Sequence, residues 1–309
     1  MPDRRAWTAV RWLVGIAVAY FVVRALATGW STMAAHPVVW APRPLFVVAS
    51  ALVTWLMYAL LIAAWRAVLL GWGERLGGLD AARIWTVSSL GKYLPGKVWA
   101  IAGMAVMARR AGVAAWAATA SAILLQALAV GSAAVVIGAT GISELESRYP
   151  GVRPILLGLI AASATGMALL LWPAFVRRLL RLARVEAPAE VTPGAGAVLF
   201  GAVANVTAWC GYGVALWLLA AGLLAVPDLT LVRAIGAFTA SYLAGLLFLP
   251  APAGIGVREA VFVLMLEGAI GREPAAALAV ASRLLLTITE LGAAAPFLLF
   301  FREQIRAES

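Results

Sequence analysis

Hydropathy along this chain alternates between long charge-free runs and short clusters of arginine. Residues 44–65, 111–143, 154–176, 191–227 and 234–257 carry no Asp, Glu, Lys or Arg. A helix crosses the hydrocarbon core with ~20 apolar residues, so each run is long enough to hold a crossing. The apolar stretches 7–28 and 277–301 add one at each end. The run after Arg4 and Arg5 has the outline of a secretory signal, but Arg11 and Arg24 bracket it too closely. It reads as an uncleaved first span.

Two segments do not read as simple spans. Residues 84–108 are apolar overall but carry Pro95-Gly96 at their centre, between Lys92 and Lys97. Residues 234–270 are interrupted by LPAPAGIG at 249–256, followed at once by Arg258 and Glu259. Proline removes a backbone donor and glycine loosens the chain, so each break interrupts a helix. Irregular backbone at membrane depth survives only where protein or a wet cavity surrounds it. Both segments therefore read as helix–break–helix hairpins that dip in and return.

The arginines test this topology. With the N-terminus in the cytoplasm and both segments returning to their side of origin, Arg4, Arg5, Arg11, Arg66, Arg75, Arg83, Arg109, Arg110, Arg177, Arg178, Arg181, Arg184, Arg302 and Arg306 fall inside. Only Arg24, Arg43, Arg148, Arg153, Arg233 and Arg272 fall outside, the asymmetry that orients membrane proteins. A full crossing at 84–108 would carry the Arg177–Arg184 cluster outside and erase it. Two crossings within 234–270 would keep the same parity, so the count does not decide that segment.

The expected fold is thus an all-α polytopic membrane protein, a single integral domain over 1–309. It has about six transmembrane helices plus two re-entrant hairpins. Halves 7–139 and 155–301 each read span, span, hairpin, span, with three crossings per half inverting the second relative to the first. Interrupted helices meeting near the midplane of an inverted repeat point to a transporter's binding site. The arginine-rich stretch 177–196, with Pro188, Pro193 and Gly194, reads as the hinge between halves.

Composition excludes other classes. The chain is 64% hydrophobic and 12% charged, with a mean hydropathy of +0.96. That is about half the charge of a soluble domain. Its net charge of +10 is explained by the cytoplasmic arginines, with no nucleic acid as partner. One Cys, Cys210, excludes an internal disulfide, and one His, His36, excludes a histidine-based metal site or nucleophile pair. No cofactor is expected.

Four cations are left in the bilayer: Lys92, Lys97, Arg258 and Arg283. Of the 24 basic residues 22 are Arg, yet both lysines flank the first break. There a new helix starts, and its free N–H groups and dipole favour an anion. A compact, flexible ammonium suits a phosphate that must be released. The competing reading is that both lysines snorkel to headgroups and only anchor the loop. At the second break Arg258 stands in the first turn of a helix after Gly254 and Gly256, with Glu259 to orient it or to take a proton. A private Arg–Glu pair is the alternative there. Arg283 and Glu290 share one face of the last span, ~10 Å apart along the axis. Each is expected to pair elsewhere, Arg283 with Glu259 being one pairing open to it. Gln126, Asn205 and Tyr242 are expected to make hydrogen bonds between helices. Most Trp are expected in interfacial belts or packing. Trp99, beside the first break, is a further candidate for the site.

These motifs resemble a known family. LGKYLPGKVW at 90–99, Arg109-Arg110-Ala111-Gly112-Val113, and LPAPAGIGVREAVFVLMLEGAIG at 249–271 with Arg283 downstream are similar to the lysylphosphatidylglycerol synthase transmembrane region, also called flippase-like. The likeness covers nearly the whole chain in order. It implies a lipid-handling domain of bacterial or archaeal plasma membranes, which in full synthases moves aminoacylated phosphatidylglycerol between leaflets. Matched by motif, Lys92, Pro95, Gly96, Lys97, Gly254, Gly256, Arg258, Glu259 and Arg283 are the implied site, with Tyr93, Trp99 and Glu290 added from the reading above. Two positions depart from the family pattern. Gln126 stands nearest to an acid often found after the first hairpin, and PAPAGIG replaces a PGG-like run. No soluble domain follows Phe301, so lysyl transfer is not expected.

The expected function is a non-enzymatic lipid translocase of a bacterial plasma membrane, with both termini cytoplasmic. Its partner is a phospholipid or lipid phosphate. A separately encoded lipid-modifying enzyme and a second copy of the chain are further candidate partners. The alternatives are a membrane-embedded lipid-modifying enzyme of glycosyltransferase type, or a non-transporting partner of a separate synthase. The enzyme would need an acidic motif on an outer loop, and only Glu144 and Glu146 stand there in a pair.

Overall fold

The computed structural model describes residues 38–93, 99–182, 185, 194–225, 229–248 and 254–307. The expected span 7–28, most of the hinge after Leu182 and the centres of both breaks, 94–98 and 249–253, lie outside these. Apart from one bridge between Trp40 and Leu224, the regular structure among the described residues is helical.

Four helices are long and apolar enough to cross a membrane: α1 (Pro44–Gly71), α4 (Ala115–Arg148, apolar through Ile142), α7 (Ala195–Leu223) and α10 (Arg272–Ala307, apolar through Leu299). Each apolar stretch has 28 or 29 residues, ~42 Å at 1.5 Å per residue, which exceeds the ~30 Å core. Their outward faces show Leu45, Leu52 and Leu56 on α1 and Leu199 and Val203 on α7 to the surroundings. In water that belt would be a liability; against lipid it is the expected surface. The chain is therefore a polytopic all-α membrane protein.

The expected hairpin at 84–108 is α2 (Gly78–Ser89), a 3-10 turn (Leu90–Tyr93) and α3 (Trp99–Arg110). Its limbs lie antiparallel in contact: a Cβ on Gly91 would sit 2.8 Å from the Ala100 nitrogen, and one on Gly103 would sit 3.6 Å from the Ser88 Cβ. The segment at 234–270 is α8 (Leu231–Leu247) and α9 (Val257–Ile270). A Cβ on Gly245 would lie 3.2 Å from that of Arg258, so these limbs also fold back on each other. With 17 and 14 residues they reach ~25 and ~21 Å, short of the ~30 Å core.

The expected single span 155–176 needs correction. Helix α5 (Arg153–Leu169) stops, and α6 (Pro173–Leu182) leaves at 101° to it. Pro173 supplies no N–H and pushes the preceding residue out of the helical region. Arg177, Arg178 and Arg181 would otherwise continue along the axis of α5. Instead α6 turns Val176 and Leu180 inward and leaves Arg178, Arg181 and Trp172 exposed, the pattern of a helix lying at a membrane surface.

Two cores hold the bundle. One packs Trp65, Leu69, Ile84 and Leu128 around the first hairpin; the other packs Phe262, Leu266, Leu278 and Phe238 around the second. Tryptophans tie the long helices together. Trp65 Nε1 donates to Ser121 Oγ at 2.8 Å, Trp55 Nε1 to the Thr289 carbonyl at 2.9 Å and Trp209 Nε1 to Ser132 Oγ at 3.1 Å. Some tryptophans expected only to pack or mark the interface thus carry hydrogen bonds between helices.

Candidate functional site

A cavity of about 310 Å³ lies where the two hairpins meet the long helices. Residues from α1, α2, the 3-10 turn, α3, α4, α7, α8, α9 and α10 line it. Lys92, Tyr93, Arg258, Arg283 and Glu290, all expected at the site, reach it. Gly254, Gly256 and Glu259 stand behind it, and Trp99 is 50% exposed and does not line it. Pro95, Gly96 and Lys97 lie outside the described residues.

The 3-10 turn after α2 carries the first cluster. Four residues of tighter winding bring Lys92 and Tyr93 round to face α10. The Lys92 ammonium pairs with Glu290 Oε1. Tyr93 Oη donates to Glu290 Oε2 at 2.9 Å and lies 3.1 Å from Thr287 Oγ1. From α1, Tyr58 Oη reaches Glu290 Oε1 at 3.4 Å. Glu290 is only 6% exposed, and a carboxylate so buried needs this full set of donors.

The second cluster stands at the start of α9. Gly256, at φ +86°, ends the break, and its N–H donates to Glu259 Oε2 at 2.7 Å. The other carboxylate oxygen of Glu259 pairs with Arg283 Nη1 of α10. One carboxylate thus caps α9 and fastens it to the last span, as the pairing open to Arg283 and Glu259 allowed.

Arg258 is arranged differently. It is 8% exposed, its Nη2 donates to Ser282 Oγ at 3.3 Å, and its guanidinium lies 5.3 and 5.2 Å from the ring centres of Phe238 and Tyr242. Aromatic faces stabilise a desolvated cation. Among the described residues no carboxylate pairs with it. Among the described residues three cations, Lys92, Arg258 and Arg283, meet two carboxylates, Glu259 and Glu290, which leaves one buried positive charge facing the cavity.

Of the aromatic wall, residue-by-residue reading missed Tyr58, Tyr212 and Phe238. The chain has six tyrosines, and Tyr58, Tyr93, Tyr212 and Tyr242 all line this cavity. Tyr212 and Phe238 stack at 5.3 Å, Phe238 and Tyr242 at 5.9 Å. The usable signal was tyrosine in mid-span, since tyrosine ordinarily favours the interface. The expected interhelical bonds also change. Asn205 Nδ2 donates within its own helix, to the Gly201 carbonyl at 2.8 Å, and Tyr242 contributes its ring. Both, with Gln126, line the cavity.

Near the end of α4 Glu146 accepts from the N–H groups of Gly151 (3.0 Å) and Arg153 (2.7 Å). These bonds hold its carboxyl below the usual glutamate range. It serves the turn between α4 and α5.

Compared with protein-family models, the chain matches the lysylphosphatidylglycerol synthase TM region over residues 9–292. No curated protein matches it.

Proposed function

This chain belongs to the lysylphosphatidylglycerol synthase TM region family, and from that premise we propose that it is a lipid translocase and not an enzyme. Family membership ties the chain to lipid modification or translocation in a membrane. The finer reading is that it moves an anionic or aminoacylated phospholipid, or a polyprenyl-phosphate-type lipid, between leaflets of a bacterial plasma membrane. Both termini are then cytoplasmic. What supports this is Arg258: a buried cation, held by aromatic faces and a hydroxyl, with its charge turned toward a cavity. A buried charge without an opposite partner is costly, and an anionic headgroup would supply that partner.

In this mechanism the headgroup phosphate sits at Arg258, with Lys92 and Arg283 lining the same cavity. Tyr212, Phe238 and Tyr242 shield it from hydrocarbon while the tails stay in lipid. Rocking of the two hairpins against the long helices would expose the site to each leaflet in turn. Arg258→Gln keeps a polar side chain but removes the charge. In proteoliposomes the transfer of fluorescent phosphatidylglycerol should fall on the order of 30-fold, equivalent to ~2 kcal/mol of charge-assisted binding. Phosphatidylcholine transfer should start low and stay low. Equal wild-type rates for the two lipids, or an unchanged rate in the variant, would overturn the reading.

A further inference from the structure

Glu290 has a role that a simple anion site does not require. It is the most enclosed carboxylate of the cavity, and three donors from two elements converge on it: Lys92, Tyr93 and Tyr58. Only one of these is charged. Facing it from the surrounding elements are Tyr58 on α1, Lys92 and Tyr93 on the 3-10 turn, Tyr212 on α7, Tyr242 on α8 and Arg258 on α9. On its own helix stand Thr287 and, two turns back, Arg283, which is engaged by Glu259.

We propose that the Lys92–Glu290 pair is an exchangeable latch, in which the lipid phosphodiester takes Lys92 from Glu290 and the released carboxylate takes up one proton. The inference rests on the reading that the cavity receives an anionic headgroup. When the phosphate oxygen accepts from the Lys92 ammonium, the pair with Glu290 Oε1 breaks. Glu290 then keeps only the tyrosine hydroxyls, too little for a carboxylate removed from water. A proton from hydronium in the cavity water bonds to the freed carboxylate oxygen and leaves a neutral acid, whose O–H donates back to the polar wall. The lipid brings one negative charge and the proton one positive, so the loaded site keeps the single excess positive charge of the empty one, now shared by Lys92 and Arg258 around the phosphate. Lipid movement becomes linked to proton movement in the same direction.

The sign of the pH dependence follows. The loaded state holds more protons than the empty one, so affinity falls as pH rises, ~10-fold per unit for a single linked proton. The test uses the full chain in nanodiscs of phosphatidylcholine, titrated calorimetrically with short-chain phosphatidylglycerol. Two buffers of different ionisation enthalpy at the same pH report the protons taken up. Wild type should take up about one proton per lipid bound. Glu290→Gln cannot, and its binding should lose its pH dependence. Lipid binding with no proton uptake in wild type overturns the latch and leaves the anion site standing. No lipid binding overturns both. Free glycerol phosphate is titrated in parallel, and binding of it in place of the lipid overturns the lipid as occupant. If Glu290→Gln does not fold, the wild-type proton count alone decides.

Discussion

The first hairpin presents a cation to α10, and the second presents a carboxylate. Lys92 meets Glu290 near one end of the cavity; Glu259 meets Arg283 two turns earlier on the same helix. The two clasps look like mirror images in charge, yet they are built for different tasks. Glu259 has a second duty, capping the N-terminus of α9 through Gly256, so releasing it would undo a helix start. Glu290 has no such duty; its other donors are tyrosine hydroxyls. Arg258, next to Glu259, has no carboxylate partner among the described residues because the neighbouring one is already engaged. A clasp that also caps a helix holds the scaffold, and a clasp that touches only side chains can be exchanged.

This contrast can be broken most forcefully at Glu259. Glu259→Ala removes a helix cap and leaves Arg283 buried without that carboxylate. It should cost about 3 kcal/mol of stability, at the low end for a broken buried pair because Glu259 is a quarter exposed. Lys92→Ala should cost about 1–2 kcal/mol, since Glu290 keeps two hydroxyl donors and can accept a proton. Chemical denaturation in detergent separates the two, and equal losses would dissolve the distinction between them.

The breaks themselves offer a smaller test. Gly254 has φ +69°, and a Cβ there would come within 2.6 Å of the Gly245 Cα, backbone against backbone. Gly254→Ala should destabilise by about 2 kcal/mol, from left-handed strain and a contact that no side-chain movement relieves. Gly245→Ala meets the Arg258 Cβ at 3.2 Å and the Gly254 Cα at 3.4 Å, neither a hard overlap, so it should cost about 1 kcal/mol or less. The order of the two midpoints checks the close approach of the limbs. A comparably small effect is expected at Tyr93→Phe, which removes the donor to Glu290 Oε2 for about 1 kcal/mol. Unchanged stability there would show that this hydroxyl does not help to hold Glu290.

Much of this architecture was legible without coordinates. Charge-free runs longer than the bilayer is thick marked α1, α4 and α7, and the apolar stretch 277–301 marked α10. Pro95-Gly96 and the PAPAGIG run marked both hairpins because proline and glycine act on the backbone locally, whatever surrounds them. The bend after α5 was missed although Pro173 stood in view. A single proline inside an apolar run is as often a kink as a stop, and only the packing of Val176 and Leu180 shows that α6 turns away. Trp99 looked like a site residue through its place beside the break, but a helix start points its side chains by rotation about the axis. Here that rotation sends Trp99 outward.

The sequence by itself determined the solvent and the interrupted helices, because hydropathy and backbone-breaking residues act over a turn or two of chain. It also singled out Lys92, Arg258, Arg283 and Glu290 as ionisable groups in the wrong medium. Only the tertiary structure decided their partners. Lys92 and Glu290 are 198 positions apart, Tyr58 and Glu290 232, and nothing in local propensity sets a contact of that separation. Their meeting depends on how two hairpins seat against four long helices, and on which rotation of α10 turns its few polar side chains inward and leaves Ile288, Leu298 and Leu299 exposed. That same seating left Arg258 against aromatic faces and without a carboxylate, the feature from which the functional reading follows.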